Sequence, residues 1–186
     1  MKKIPNILTL SRIVVVVPFI ACFYLDGQLS GWITFAIFTA AALTDFFDGW
    51  IARRYSGISE LGRILDPIAD KVIVVSALIM ILVTNNLLVI PVVAIIVREI
   101  LVSGLREGLA GHVKIPVGRL GKLKTASQML SISLLLISSA LSQSGELVLC
   151  IGELLLWITA AISWISAIFY IRHSIFFLKN MIVKPI

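Results

Sequence analysis

Residues 45–70 read DFFDGWIARRYSGISELGRILDPIAD and place four aspartates inside an otherwise strongly apolar chain. On a helix, Asp45 and Asp48 stand at positions i and i+3, and Asp66 and Asp70 at i and i+4, so each pair shares one helix face. If the two helices pack antiparallel across the polar loop 54–61, all four carboxylates meet at one point. Because carboxylates at bilayer depth are costly, they usually pair, line wet cavities or hold ions. The stretch therefore predicts a metal site.

The chemistry of these ligands indicates which metal would bind. They are all oxygen donors, with no His or Cys close by in the sequence, which favours Mg²⁺ or Mn²⁺ over zinc or copper. Four carboxylates exceed what one Mg²⁺ normally takes from a protein, because this ion keeps several waters and prefers substrate phosphates as partners. Two ions and a phosphate-bearing substrate follow as a hypothesis.

The composition places the chain among helical membrane proteins. Of its 186 residues 59% are apolar, the mean hydropathy is +1.06, and one membrane span needs about 20 mostly apolar residues. We predict an all-α polytopic protein whose six transmembrane helices lie near residues 7–25, 31–53, 64–83, 88–107, 122–141 and 147–170. Residues 1–186 then form one domain, in which 1–6 are an interfacial N-terminus and 171–186 a cytoplasmic tail.

The distribution of positive charge predicts the orientation of the chain. Residues 26–31, 84–88 and 142–147 contain no Lys or Arg, so all sixteen such residues lie toward the opposite helix ends. By the positive-inside rule those ends are cytoplasmic, which places both termini on that side and makes the polar cavity face the cytoplasm. The net charge of +6 then indicates anionic lipid headgroups and phosphorylated solutes as partners, and no nucleic acid.

Several residues beside the acids could contact a ligand. Asn6 and Thr9 are able to cap the first helix or to contact a ligand. Gly49 and Gly62 flank the acids at regular offsets and permit close approach of a ligand, although isolated glycines more often serve helix packing through small residues. Arg53 lies one turn beyond Gly49, where it could reach a phosphate or serve only as a positive-inside anchor.

A second group of charged residues is basic. Arg98 and Arg106 are eight residues apart on the fourth predicted span, and Lys122 and Lys124 open the fifth. Such residues are often topology determinants or headgroup binders. Arg98, however, lies well inside an apolar run. The functional interpretation is a binding site for a phosphorylated co-substrate.

The complete pattern D-x-x-D-G-x-x-A-R-x8-G-x3-D-x3-D resembles the signature of the CDP-alcohol phosphotransferase family, and the resemblance extends over essentially the whole chain. It implies a bacterial cell-membrane enzyme, expected as a homodimer, that transfers a phosphatidyl group from a CDP-linked lipid to an alcohol and releases CMP. It implies metal binding by the four aspartates, with Asp70 also acting as general base. The implied CDP-lipid site comprises Asn6, Thr9, Gly49, Ala52, Arg53 and Gly62.

Within this family, P-N-x-L-T-x-x-R at residues 5–12, the R-E and S-G-L-R segments of the fourth span, and G-K-x-K-T at 121–125 resemble the phosphatidylglycerophosphate synthases. This resemblance implies CDP-diacylglycerol as donor and glycerol 3-phosphate as acceptor. The acceptor phosphate would suit Arg98, Arg106, Lys122 and Lys124. Phosphatidylinositol-phosphate synthase of the same family is the nearest alternative, because an inositol-phosphate acceptor would exploit similar charges. A divalent-cation transporter is an alternative from a different class, and a prenyltransferase with two Asp-rich motifs is a further alternative enzyme.

Overall fold

The computed structural model describes residues 4–52, 60–109 and 119–183, and all regular secondary structure in these ranges is helical. Within them, side chains are described for residues 11–44, 68–69, 71–109 and 120–175. The helices are α1 (Ile4–Cys22), α2 (Gln28–Ala52), α3 (Glu60–Thr84), α4 (Val89–Gly108), α5 (Arg119–Ser138) and α6 (Gly145–Val183), with a short 3-10 helix at Asn86–Leu88. The predicted all-α class is confirmed.

Each predicted span corresponds to one of these helices, and the largest difference is at the end of α6. That helix has 39 residues, about 58 Å at 1.5 Å per residue, whereas a bilayer's hydrocarbon core is about 30 Å thick. The chain therefore stays helical beyond residue 170 and through most of the segment predicted as a tail.

The connections α1–α2, α3–α4 and α5–α6 lie together at one end of the helix bundle. Residues of all three line a single cavity, among them Gly27, Asn85 and Ser142. Gln28 Nε2 also donates a hydrogen bond to Ser142 Oγ at 2.6 Å. Consecutive helices must therefore alternate in direction. Residues 22–30, 84–90 and 138–147 contain the acids Asp26 and Glu146 but no Lys or Arg. We therefore refer to this end as the non-basic end.

Contacts between α4 and α6 show that these two helices run parallel, as that alternation requires. Their contacts advance along both helices together: Trp164 Nε1 donates to Ala94 O at 3.1 Å, and the Arg106 guanidinium lies 5.8 Å from the centre of the Tyr170 ring. Nearer the non-basic end, Asn85 Nδ2 donates to Glu153 Oε1.

The interior of the bundle is one apolar core to which every helix contributes. A fully buried side chain from each helix in turn is Phe19, Phe38, Leu78, Ile95, Ile132 and Leu156.

Large apolar side chains also cover the outer surface of the bundle. Val17, Val83, Ile90 and Leu154 are 71%, 70%, 67% and 62% exposed. Large apolar side chains exposed on every helix of the bundle are unusual for a protein in water and are typical of one that contacts lipid. Among the described helical segments, Asn86–Gly108 and Gly145–Ile175 are long and apolar enough to cross a membrane by length and composition, whereas Ser11–Cys22, Gln28–Thr44 and Lys71–Thr84 are shorter apolar stretches.

Candidate active site

The two aspartate pairs lie in α2 and α3. The backbone is helical through Asp45 and Asp48 in α2 and through Asp66 and Asp70 in α3, so the spacings of three and four residues place each pair on one helix face. The two helices contact each other, and α1 packs against both. The side chains of the four aspartates lie outside the described residues. An all-carboxylate set on two contacting helices fits a hard divalent cation such as Mg²⁺ or Mn²⁺.

The residues predicted to bind the CDP-lipid lie around these pairs in the chain. Asn6 and Thr9 belong to the first turns of α1, Gly49 and Ala52 to the end of α2, and Gly62 to the first turn of α3, while Arg53 lies outside the described residues. The side chains at these positions are also outside the described set. Their assignment stays a prediction from the sequence.

A cluster of buried and partly buried ionic side chains joins α3, α4, α5 and α6. We call Lys71, Arg98, Glu99 and Lys124 the basic cluster. Glu99 Oε1 accepts hydrogen bonds from Lys124 Nζ and, at 3.3 Å, from an Arg98 Nη1 donor. Lys71 Nζ donates to Ser103 Oγ on the next helix. One carboxylate thus holds two cations, and a third cation is held by a hydroxyl.

Arg98 is anchored on a second side as well. Its Nε donates to the main-chain oxygen of Ser163 in α6 at 3.1 Å. Arg98 is 7% exposed and Lys124 6%, and charged side chains are rarely buried to this degree unless they are paired. Glu99 therefore fixes both cations in place at a depth where neither would be stable alone.

The charge and the position of the basic cluster suit an anionic substrate. Three cations and one carboxylate leave a formal charge of +2, which matches a phosphate dianion. Lys71 lies about 20 Å from Thr84 and the non-basic end, measured along α3 at 1.5 Å per residue. It also directly follows Asp70 in the chain. The basic cluster therefore adjoins the helix that carries Asp66 and Asp70.

The structure separates the four residues that the sequence suggested for the acceptor phosphate. Arg98 and Lys124 come together through Glu99. Arg106 lies two turns further along α4, exposed, over the Tyr170 ring. Lys122 is exposed on α5. The first two are thus interior residues, whereas the other two lie at the surface of the bundle.

Sequence reasoning missed Lys71 as a member of this cluster. The signal was its position next to Asp70, since an ionisable residue one step from a candidate metal ligand in an apolar helix is itself costly. Nothing in the sequence could have shown that the main chain at Ser163 would accept a bond from Arg98, because that contact depends on how α6 packs against α4.

Comparison with known proteins assigns the amino-acid sequence to a family. A family profile described as CDP-alcohol phosphatidyltransferase matches residues 2–171. The chain belongs to this family. The family predicted from the aspartate pattern is therefore confirmed, and with it the assignment of the chain to a class of transferase enzymes.

Curated relatives within the family are similar over most of their length. One from Rickettsia typhi is 46% identical over 140 residues, which are 75% of this chain and 79% of the relative. One from Rickettsia felis is 45% identical over 139 residues, 74% and 77% of the two chains. One from Salmonella typhimurium is 40% identical over 141 residues, 72% and 76%. Each is named CDP-diacylglycerol–glycerol-3-phosphate 3-phosphatidyltransferase.

Proposed function

We propose that this protein transfers the phosphatidyl group of CDP-diacylglycerol to glycerol 3-phosphate, forming phosphatidylglycerophosphate and CMP. The observation that carries the proposal is the basic cluster, whose Lys71 directly follows Asp70 in α3. A phosphorylated acceptor needs a cationic pocket within a small molecule's length of the acids that activate it. The names of the three relatives support the same donor and acceptor.

The acids have two tasks in this scheme. Asp45, Asp48, Asp66 and Asp70 would hold two Mg²⁺ or Mn²⁺ ions, which when bound supply charge neutralisation for the diphosphate of the donor. Asp70 would also accept the proton of the acceptor hydroxyl as that oxygen attacks the lipid-side phosphorus. The phosphorus–oxygen bond to CMP then breaks, and CMP leaves with the bonding electron pair.

The remaining predicted residues bind the two substrates. Around the donor, the CDP portion would be lined by Asn6, Thr9, Gly49, Ala52, Arg53 and Gly62. At the acceptor, Arg98 and Lys124 would form the inner part of the phosphate site. Arg106 and Lys122, which are exposed, would attract the dianion at the entrance.

We further propose that all six helices cross the bacterial cell membrane around a cytoplasm-facing polar cavity. The alternating helix directions and the non-basic end support this arrangement. In it the Lys and Arg residues lie toward the opposite side, which the positive-inside rule makes cytoplasmic. Both termini and the active site would then be cytoplasmic. The family resemblance also implies a homodimer in contact with membrane lipids.

The test is turnover by the purified full-length protein in detergent–lipid micelles containing CDP-diacylglycerol and either Mg²⁺ or Mn²⁺. Glycerol 3-phosphate and inositol phosphate are offered in parallel, and CMP is measured. We expect CMP release with glycerol 3-phosphate. Release with inositol phosphate alone would refute the acceptor and retain the reaction type. No release with either acceptor would refute the proposed reaction and favour the transporter or prenyltransferase alternatives.

A further inference from the structure

Among the cations of the basic cluster, Lys71 differs in the kind of partner that holds it. Arg98 and Lys124 both bond to the Glu99 carboxylate. The Lys71 ammonium instead donates to the Ser103 hydroxyl, a neutral group. Its positive charge is therefore not compensated by a carboxylate in the described part of the chain.

We propose that Lys71 is a further binding residue for the acceptor, and that its ammonium contacts the phosphate of glycerol 3-phosphate directly. The proposal rests on the proposed function and deepens it, because it selects the cation that contributes most to acceptor binding. In this arrangement Arg98 and Lys124 form the rear wall of the site, and their shared carboxylate limits how far either can turn toward a ligand.

The energetic argument compares the two kinds of hydrogen bond. A bond between an ammonium and a phosphate oxygen is charge-assisted on both sides and is about twice as strong as one between neutral groups. The Ser103 hydroxyl is only a neutral acceptor, so a phosphate oxygen can replace it with a gain. Replacing Glu99 as the partner of Lys124 would instead break an ion pair among side chains that are 8% and 16% exposed, which is costly.

The position of Lys71 in α3 gives a second argument. It directly follows Asp70, so the two Cα atoms are about 3.8 Å apart. Glycerol 3-phosphate carries its phosphate and its attacking hydroxyl on opposite ends of a three-carbon chain. Side chains at successive helix positions project about 100° apart, so an acid and a long cation at such positions can contact the two ends of one small acceptor that lies between them. Because both belong to α3, movement of a neighbouring helix would not change the spacing of their backbones.

The experiment measures CMP release by the full-length protein while each substrate is varied in turn. Lys71→Gln keeps a hydrogen-bond donor for Ser103 but removes the charge, and Lys71→Arg keeps the charge. The matched control is Arg172→Gln, which removes a cation from an exposed position of α6. Loss of a hydrogen bond between charged groups predicts that Lys71→Gln raises the KM for glycerol 3-phosphate about tenfold to a hundredfold. We expect the KM for CDP-diacylglycerol to stay within about twofold and Lys71→Arg to recover most of the loss.

An unchanged KM for glycerol 3-phosphate in Lys71→Gln overturns the proposal, and so does an equal rise in both KM values. If Lys71→Gln does not elute as a folded protein, Ser103→Ala decides the question, because it keeps the ammonium and removes only its neutral partner. The proposal predicts that this variant binds glycerol 3-phosphate at least as well as the wild type. A tenfold higher KM for glycerol 3-phosphate in Ser103→Ala would overturn the proposal.

Thermal stabilisation by glycerol 3-phosphate separates failure of this inference from failure of the proposed function. If the wild type releases no CMP, the proposed reaction is refuted. A rise in Tm with glycerol 3-phosphate that is present in the wild type and absent in Lys71→Gln would still support Lys71 as a phosphate-binding residue. An equal rise in both proteins would overturn that assignment.

Discussion

Substitution of Glu99 by glutamine is the sharpest test of the basic cluster. The glutamine has nearly the same shape and keeps a carbonyl oxygen that can accept hydrogen bonds. It removes the charge that holds Arg98 and Lys124 together. Any effect of Glu99→Gln thus reports the charge more than the packing.

The expected size of the effect follows from the burial of the three side chains. The Arg98 and Lys124 side chains are each 8% exposed, and that of Glu99 is 16% exposed. Breaking a buried ion pair from one side costs about 3–5 kcal/mol, because the remaining charge stays buried and uncompensated. Since the glutamine oxygen can still accept hydrogen bonds, we take the lower value. At about 2–4 °C per kcal/mol for a chain of this size, Glu99→Gln is expected to lower the Tm by about 10 °C.

The assay is thermal unfolding in detergent with and without saturating glycerol 3-phosphate. In the variant, the phosphate dianion supplies the negative charge that Glu99 supplied. A ligand that binds only the folded state raises the Tm in proportion to its binding free energy. Glycerol 3-phosphate should therefore stabilise Glu99→Gln more than it stabilises the wild type. Glu107→Gln is the matched control, because it makes the same chemical change at an exposed position of the same helix.

Two results would refute this reasoning. A loss of Tm in Glu99→Gln no larger than that in Glu107→Gln would show that the carboxylate is not needed to hold the buried cations. Equal stabilisation of variant and wild type by glycerol 3-phosphate would show that the acceptor phosphate does not bind beside Glu99.

Three further outcomes are expected. Asp66→Asn should abolish CMP release while the protein remains folded by gel filtration, because it removes a metal-binding charge without changing shape; near-wild-type turnover would contradict the metal assignment. Arg106→Ala should raise the KM for glycerol 3-phosphate more than that for CDP-diacylglycerol, and an equal rise in both would indicate a general electrostatic role. Gly31→Ala should lower the Tm by several degrees, because the new Cβ would lie 2.8 Å from the main-chain nitrogen of Ala140; overpacking of this kind costs about 1–3 kcal/mol. Gly104→Ala is its control, since a Cβ added there would have no atom within 4 Å apart from its chain neighbours and the backbone of its own helix, and an equal Tm in the two variants would contradict the close packing at Gly31.

The helices could be predicted from the sequence because hydropathy is a local property. A run of about 20 apolar residues must satisfy its own backbone hydrogen bonds in a membrane, and a helix does so within one segment. The end of α6 was missed because the prediction ended with the apolar run near residue 170, whereas the helix continues to Val183. Helical hydrogen bonding does not require an apolar side chain at every turn.

The candidate site likewise has one part that local sequence spacing predicts and another that depends on how the helices pack. The spacing of Asp45, Asp48, Asp66 and Asp70 is a property of the chain, since its meaning follows from the pitch of a helix, and the pattern that contains these aspartates indicates the family. The sequence also marked Arg98 and Lys124 as unusual cations. It could not show that they share Glu99, because the pairing depends on the depth and rotation at which α4 and α5 each pack against α6.

The sequence by itself therefore determined the helices, the non-basic end of the bundle and the acidic signature, because each depends on residues close together in the chain. Only the tertiary structure separated the buried pair of Arg98 and Lys124 from the exposed Arg106, and only it brought Lys71 to Ser103. Those contacts join helices that are distant in sequence. Their formation depends on how the apolar core orients each helix around its own axis, which no local pattern of residues specifies.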